Sequence, residues 1–190
     1  MPSTLLANLR RDRTITDWDP EDREAWDNGN AAIAKRNLVW SVICEHVGFS
    51  IWSLFSVMAL FMGPEYGISL DQKFMIAATA TFVGSCLRIP YTQATARFGG
   101  RNWAIFSAIV LVIPTGLTMM LMMNPGEFGF GWFLAVAAIT GFGGGNFASS
   151  MTNINAFYPQ RLKGWALGLN AGGGNIGVPA VQLIGLLVIW

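Results

Sequence analysis

Apolar residues fill the chain in long blocks rather than in the short alternating runs of a soluble domain. Five blocks stand out, at about 38–62, 72–96, 103–123, 130–157 and 164–190. At ~1.5 Å per residue each is long enough to cross a ~30 Å hydrocarbon core. Short polar or Gly/Pro-marked joints separate them, the first at Gly63-Pro64. The pattern predicts an all-α polytopic bundle, and joints this short predict that consecutive helices are antiparallel neighbours. Pro90, Pro114 and Pro179 fall inside spans, where neighbouring helices can satisfy the carbonyls that proline frees.

Residues 1–37 are hydrophilic and form a separate tail. Asp19-Pro20 predicts a helix start, with Asp19 as N-cap and Pro20 in the first helical position. Ala25, Trp26, Ala32 and Ile33 would give this helix one apolar side, suited to lying on the membrane surface.

Composition agrees: 53% of residues are hydrophobic and 12% charged, against ~25% charged in a typical soluble domain. Six of the twelve Lys and Arg and seven of the eleven acids precede Leu38. Of the later basic residues, Arg97 and Arg101 share one side with the tail, as do Arg161 and Lys163. Only Lys73 falls on the other side. The positive-inside rule then places the N-terminus in the cytoplasm of a multi-pass inner (plasma) membrane protein. The net charge of +1 gives no reason to expect nucleic acid. Cys44 and Cys86 lie inside spans and read as small packing residues. With one histidine and no Cys/His cluster, neither a metal site, a haem anchor nor any other cofactor is expected.

Ionisable residues inside apolar spans are costly and mark candidate chemistry. Arg88 lies about two turns from the cytoplasmic end of the second span. Its planar fork of donors suits a planar oxyanion; the alternative is that it snorkels to the headgroups. Glu45 and His46 are both able to load and release a proton, or else simply pack, the glutamate hydrogen-bonded to a neighbouring helix. Adjacent helical positions diverge by ~100°, so the two cannot face one cavity equally.

Spans four and five carry matching runs, Gly143 to Asn146 and Gly172 to Asn175. Small residues let membrane helices approach closely. Gly144, Gly145, Gly172 and Gly173 are therefore expected at a contact between these two spans. Asn146, Asn153, Asn155, Asn170 and Asn175, with Ser149, Ser150 and Thr152, read singly as interhelical glue and together as a polar passage. Phe147 places an aromatic face beside Asn146. Neither glycine run is closed by a Gly-Lys-Ser/Thr, so phosphate cradling is not supported.

The stretch GNFASSMTNINAFYPQRLKGWALGLNAGGGNIGV, from Gly145 to Val178, resembles the signature of the NarK-type nitrate/nitrite porters of the major facilitator superfamily. ITDWDPED, RNL (Arg36 to Leu38), WSLFSV (Trp52 to Val57), LRIPY (Leu87 to Tyr91) and FGGRNW (Phe98 to Trp103) resemble the same family in the same order. The resemblance implies a transporter of nitrate or nitrite built from two six-helix halves, with substrate held between them. It implies that Arg88 binds the anion, that Phe147 contributes an aromatic clamp and that Asn175 contacts the substrate; Asn146 joins them as a candidate. Five spans of a six-helix half make this an N-terminal portion whose partners are the lipid bilayer and the missing C-terminal helices. The Glu45-His46 pair resembles the branch assigned to proton-coupled uptake, making protons a second partner. One departure stands in the loop between spans two and three, where Ala96 occupies the position usually acidic in the superfamily. The competing reading is a truncated fragment that does not transport without a partner half.

Overall fold

The computed structural model describes Ile15 and residues 17–189. The tail before Ile15, Thr16 and the expected end of the fifth span at Trp190 lie outside the described residues. Five helices are long and apolar enough to cross a membrane: α1 (Arg23–Phe61), α2 (Leu70–Phe98), α3 (Gly100–Met123), α4 (Phe130–Phe157) and α5 (Gln160–Val188). No strand pairs with another to form a sheet among the described residues. Large apolar side chains such as Trp40, Leu60, Phe82, Ile89 and Leu187 point outward, as lipid-facing positions should.

α1 starts earlier than the apolar pattern implied. Asp22, not Asp19, caps it: the Asp22 carboxylate accepts from the Ala25 N–H at 3.0 Å. Asp19 instead accepts from the Glu21 N–H at 2.8 Å, so Pro20 sits in a turn. A wide turn over Trp26–Asn30 then carries Gly29 at φ 141°, a conformation that glycine adopts without Cβ strain. The helix runs on from Ala31, so tail and first span form one continuous rod with a kink. A second irregularity falls at Ser53, whose hydroxyl donates to the Phe49 carbonyl at 2.8 Å, a back-bond that bends helices.

The expected surface-lying helix packs inward instead. Trp26 is buried against Ala34, Leu38, Ile154, Tyr158 and Ala166. The Arg161 guanidinium lies 5.7 Å from its ring centre, and Trp18 meets Phe157 at 4.9 Å. An indole offered both an aromatic partner, Tyr158, and a cationic one, Arg161, has more to gain there than at a headgroup surface.

Consecutive helices are not the main neighbours. The most extensive contacts are α2 with α4, then α1 with α4 and α1 with α5. α4 is the hub: half of its most apolar stretch is buried, against 17–28% in the other four. Its glycines explain this. A Cβ on Gly143 would strike the Gly48 carbonyl of α1. One on Gly144 would come within 2.8 Å of the Trp52 ring, and one on Gly145 within 3.0 Å of the Tyr91 ring. Gly141 and Gly84 bring α4 and α2 together similarly, at 2.9 Å. The α5 run packs on α1, through Gly173 against Val42 and Gly174 against the Glu45 side chain, while Gly172 faces open space. The two glycine runs therefore do not meet each other, as the expected contact between spans four and five required; each receives α1.

Two apolar clusters close the bundle at its ends. The Trp26 cluster lies at the end that carries Arg97, Arg101, Arg161 and Lys163, the basic end. Phe55, Met62, Tyr66, Ile76, Leu121 and Phe133 form the other, where the Tyr66 hydroxyl donates to the Met122 carbonyl at 2.7 Å. Between them lies a layer of buried polar side chains: Glu45, Asn146, Ser149, Ser150 and Asn170. Substitution of Gly143 by alanine should lower stability by about 1–3 kcal/mol, the range for overpacking, because the obstacle is backbone. Gly172→Ala should be close to neutral. Thermal unfolding of the two variants in detergent separates them.

Candidate functional site

Arg88 projects from the C-terminal half of α2, and its charge is met by rings rather than by a carboxylate. Its guanidinium carbon lies 4.8 Å from the Phe147 ring centre and 5.9 Å from that of Trp52. Its Nε is buried and has no hydrogen-bond partner among the described residues. Phe147 is held by Phe49 stacked on it at 6.0 Å, with planes 8° apart. Trp52 is fixed by its indole N–H, which donates to the Ala80 carbonyl of α2 at 2.8 Å. Aromatic faces attract a guanidinium without occupying its donors. The arrangement therefore orients Arg88 and leaves its in-plane N–H groups free for an acceptor.

Trp52 also borders a cavity of about 270 Å³ shared with Ser53, Ser56, Thr81, Val178 and Gln182. Its lining comes from α1, α2 and α5, not from the asparagines of the expected passage. The Ser53, Ser56 and Thr81 hydroxyls donate to carbonyls of their own helices. They can present only acceptor lone pairs to the cavity, and Arg88 is not among the residues that line it.

Glu45 is fully buried. One carboxyl oxygen accepts from the Ser150 hydroxyl of α4 and from the Asn170 amide of α5 at 2.8 Å. Asn170 Nδ2 also lies 2.8 Å from Ser150 Oγ, so one carboxyl ties three helices together. His46 points elsewhere: its Nδ1 is 3.4 Å from the Gly173 carbonyl, and its own carbonyl accepts from Ser50 at 2.9 Å. The divergence expected of adjacent positions is realised, and Glu45 holds the interior one.

The remaining candidates separate. Asn146 is buried, turned toward Gly48 and the Glu45 side of the bundle. Asn175 is exposed, and its amide donates to Ala171 of its own helix at 2.7 Å. Arg88 and Phe147 thus come together; Asn146 joins Glu45, and Asn175 stands on the open face. Trp52 and Phe49 were not among the candidate site residues, although Trp52 opens the WSLFSV segment. Ser150 and Asn170 were visible only as members of a polar set, because helical periodicity does not say which helix their side chains meet.

The chain is 41% identical over 187 residues to the nitrate/nitrite transporter NarU of Escherichia coli, covering 97% of this chain and 40% of that protein. It is 41% identical over 177 residues to NarU of Salmonella typhimurium, covering 93% of this chain and 38% of the relative. The chain belongs to the NarK/NarU nitrate/nitrite transporter family. A more distant member, the probable nitrate/nitrite antiporter NarK2 of Thermus thermophilus, is 36% identical over 172 residues. The chain spans about 40% of the length of the NarU relatives, corresponding to their N-terminal portion. No family model matches it. The relatives named here are transporters rather than enzymes.

The Glu45 knot yields a stability prediction. Asn170→Ala removes the amide's hydrogen bonds to Glu45, Ser150 and Met151 and leaves a buried carboxyl oxygen with one donor fewer. This should cost about 1–3 kcal/mol, read as a lower unfolding temperature. Asn175→Ala, which removes an exposed bond within one helix, should leave that temperature nearly unchanged.

Proposed function

We propose that this chain forms the N-terminal anion-binding portion of a membrane transporter for nitrate or nitrite, with Arg88 as its principal ligand. The observation that carries the reading is a half-buried guanidinium oriented by Phe147 and Trp52 and left without a carboxylate. A planar, weakly basic anion fits a fork of coplanar donors between aromatic faces. Phe147 clamps it, and Asn175 on the open face supplies an amide from α5. The helices missing from this chain, relative to its full-length relatives, close the other wall. This chain supplies one side of that passage. The basic end, with Arg97, Arg101, Arg161 and Lys163, faces the cytoplasm under the positive-inside rule.

Coupling is assigned to Glu45. Moving one anion inward against an inside-negative potential costs ~2.3 kcal/mol per 100 mV. One co-transported proton makes the step electroneutral, and a second lets the potential drive uptake. Glu45 is the one buried carboxyl among the described residues. His46, held to α5 through the Gly173 carbonyl, is the rival carrier.

Two variants test the reading in a transporter completed to the length of the relatives. Arg88→Lys keeps the charge and loses the fork; labelled nitrate uptake should fall at least tenfold, and near-normal uptake would reduce Arg88 to a structural residue. Glu45→Gln should abolish nitrate-dependent proton movement into vesicles while leaving nitrate counterflow intact. If wild type moves no protons with nitrate, exchange of nitrate for nitrite is the better mechanism. If His46→Gln alone removes proton flux, the carrier is the histidine.

A further inference from the structure

α5 begins without a cap of its own. Pro159 holds the cap position, and its side chain accepts no hydrogen bond. The first N–H groups of a helix have no partner within it, so a side chain from elsewhere is needed. It comes from far upstream: Glu21 Oε1 accepts the Gln160 N–H. A carboxylate there also meets the positive pole of the helix. Three further contacts fasten the same joint. Trp18 packs on Phe157 with ring centres 4.9 Å apart, and Trp26 meets Tyr158 edge-on at 5.7 Å. The Arg161 guanidinium lies over the Trp26 ring. Residues 17–30 therefore grip the chain where α4 turns into α5.

We propose that residues 17–30 are a latch: a strap leading into α1 that keeps the basic end of the bundle closed by gripping the α4–α5 joint, and that lets go of the joint each time this end opens. The proposal rests on the reading of the chain as part of a transporter, because alternating access requires each end to open in turn. The strap acts on the opening of the end and not on the anion. Its ring and capping contacts lie at 157–161, whereas Arg88 meets Phe147 and Trp52.

Both the strap and what it holds are built for release. α5 is the least embedded of the five helices: 17% of its most apolar stretch is buried, against 22–50% in the others. An added Cβ on Gly164 or Gly168, in its first half, would touch nothing within 4 Å. Its start leans on the strap's own cluster, where Ala166 packs with Trp26, Ala34 and Leu38. The strap has a joint in Gly29, at φ 141°, where no Cβ hinders rearrangement of the backbone. Glu21 and Gln160 are exposed, so water replaces their hydrogen bond at small net cost when they part. Trp18 Nε1 is buried with no acceptor among the described residues. A buried donor left unpaired costs free energy, so closure is opposed as well as favoured.

The test uses the transporter completed to the length of the relatives, in vesicles. Opening is read at Cys44, half-buried at the small cavity that Glu45, Asn146, Asn153 and Gly100 also line. With all other cysteines replaced by serine, a membrane-impermeant maleimide is added on the side of the basic end. Glu21→Ala should label about threefold faster or more than the unaltered strap, the order expected for loss of one capping bond. Glu21→Gln, which keeps an acceptor oxygen, should fall between the two, and Trp26→Leu should label faster still. Equal labelling throughout would overturn the proposal; if Trp26→Leu does not fold, the Glu21 variants decide. Motion is tested by joining Glu21→Cys to Gln160→Cys with a short thiosulfonate cross-linker in a background lacking other cysteines. Bridged protein should take up labelled nitrate at least tenfold more slowly, and reductant should restore the rate in the same molecules. Unchanged uptake by bridged protein would make the strap a static staple and overturn the latch. Failure of the underlying reading looks different: the transporter with its strap unaltered would then take up no nitrate, whatever the labelling of Cys44.

Discussion

Backbone contact between α1 and α4 is the constraint on which the rest of the bundle depends. The Gly48 carbonyl lies where a Cβ on Gly143 would be, and the Asn146 amide lies where a Cβ on Gly48 would be. In lipid there is little hydrophobic gain in pressing two apolar helices together, so association comes from packing and from polar groups that meet. Glycine supplies the first by letting the backbones touch. The closeness then delivers the second, because Ser150 on α4 can reach Glu45 on α1 only at that separation. Ordinary side chains at Gly143 and Gly144 would push α1 outward and take Trp52 with it.

The polar layer this creates is sealed at both ends. Trp26, Tyr158 and their neighbours close the basic end, and the Phe55, Tyr66 and Phe133 cluster closes the other. Dry clusters on either side make the unsatisfied oxygens of Glu45, Asn146 and Asn170 expensive. A bundle selected for stability alone would have replaced them with apolar groups. Their place in the middle layer of the bundle, beside an arginine met by aromatic rings, is what the proposed transport function would use.

Much of this was legible in the sequence, and the remainder was hidden for physical reasons. The five long apolar helices follow from hydropathy because lipid imposes length and composition directly, whereas the start of α1 in the hydrophilic tail did not show there. Arg88, Glu45 and Phe147 stood out because a charge in an apolar run, or a signature motif, is visible one residue at a time. Neighbour relations were not. Short loops predicted consecutive pairing, yet α4 gathers the others because its glycines offer the closest approach. The two matching glycine runs suggested each other as partners, and each instead receives α1. Trp26 likewise read as a surface residue because nothing local shows that Tyr158 and Arg161, over a hundred residues later, return to meet it.

The consequence reaches furthest at Asn146 and Phe147. These two residues are covalent neighbours on one helix, yet one borders the Glu45 cavity and the other faces Arg88. A ligand shifts a conformational equilibrium only by as much as its affinity differs between the two states. Coupling a proton to an anion therefore requires a single element that both contact. The middle turn of α4 is such an element. In the proposed function a change in the hydrogen bonding of Glu45 would act on Ser150 and on the Asn146 side of that turn, and an anion on Arg88 would act on the Phe147 side. Glycines at 143 to 145 leave this turn free of side chains that would wedge it against α1 or α2. The same residues that allow the helices to touch thus place the carboxyl and the guanidinium on opposite faces of one thin wall.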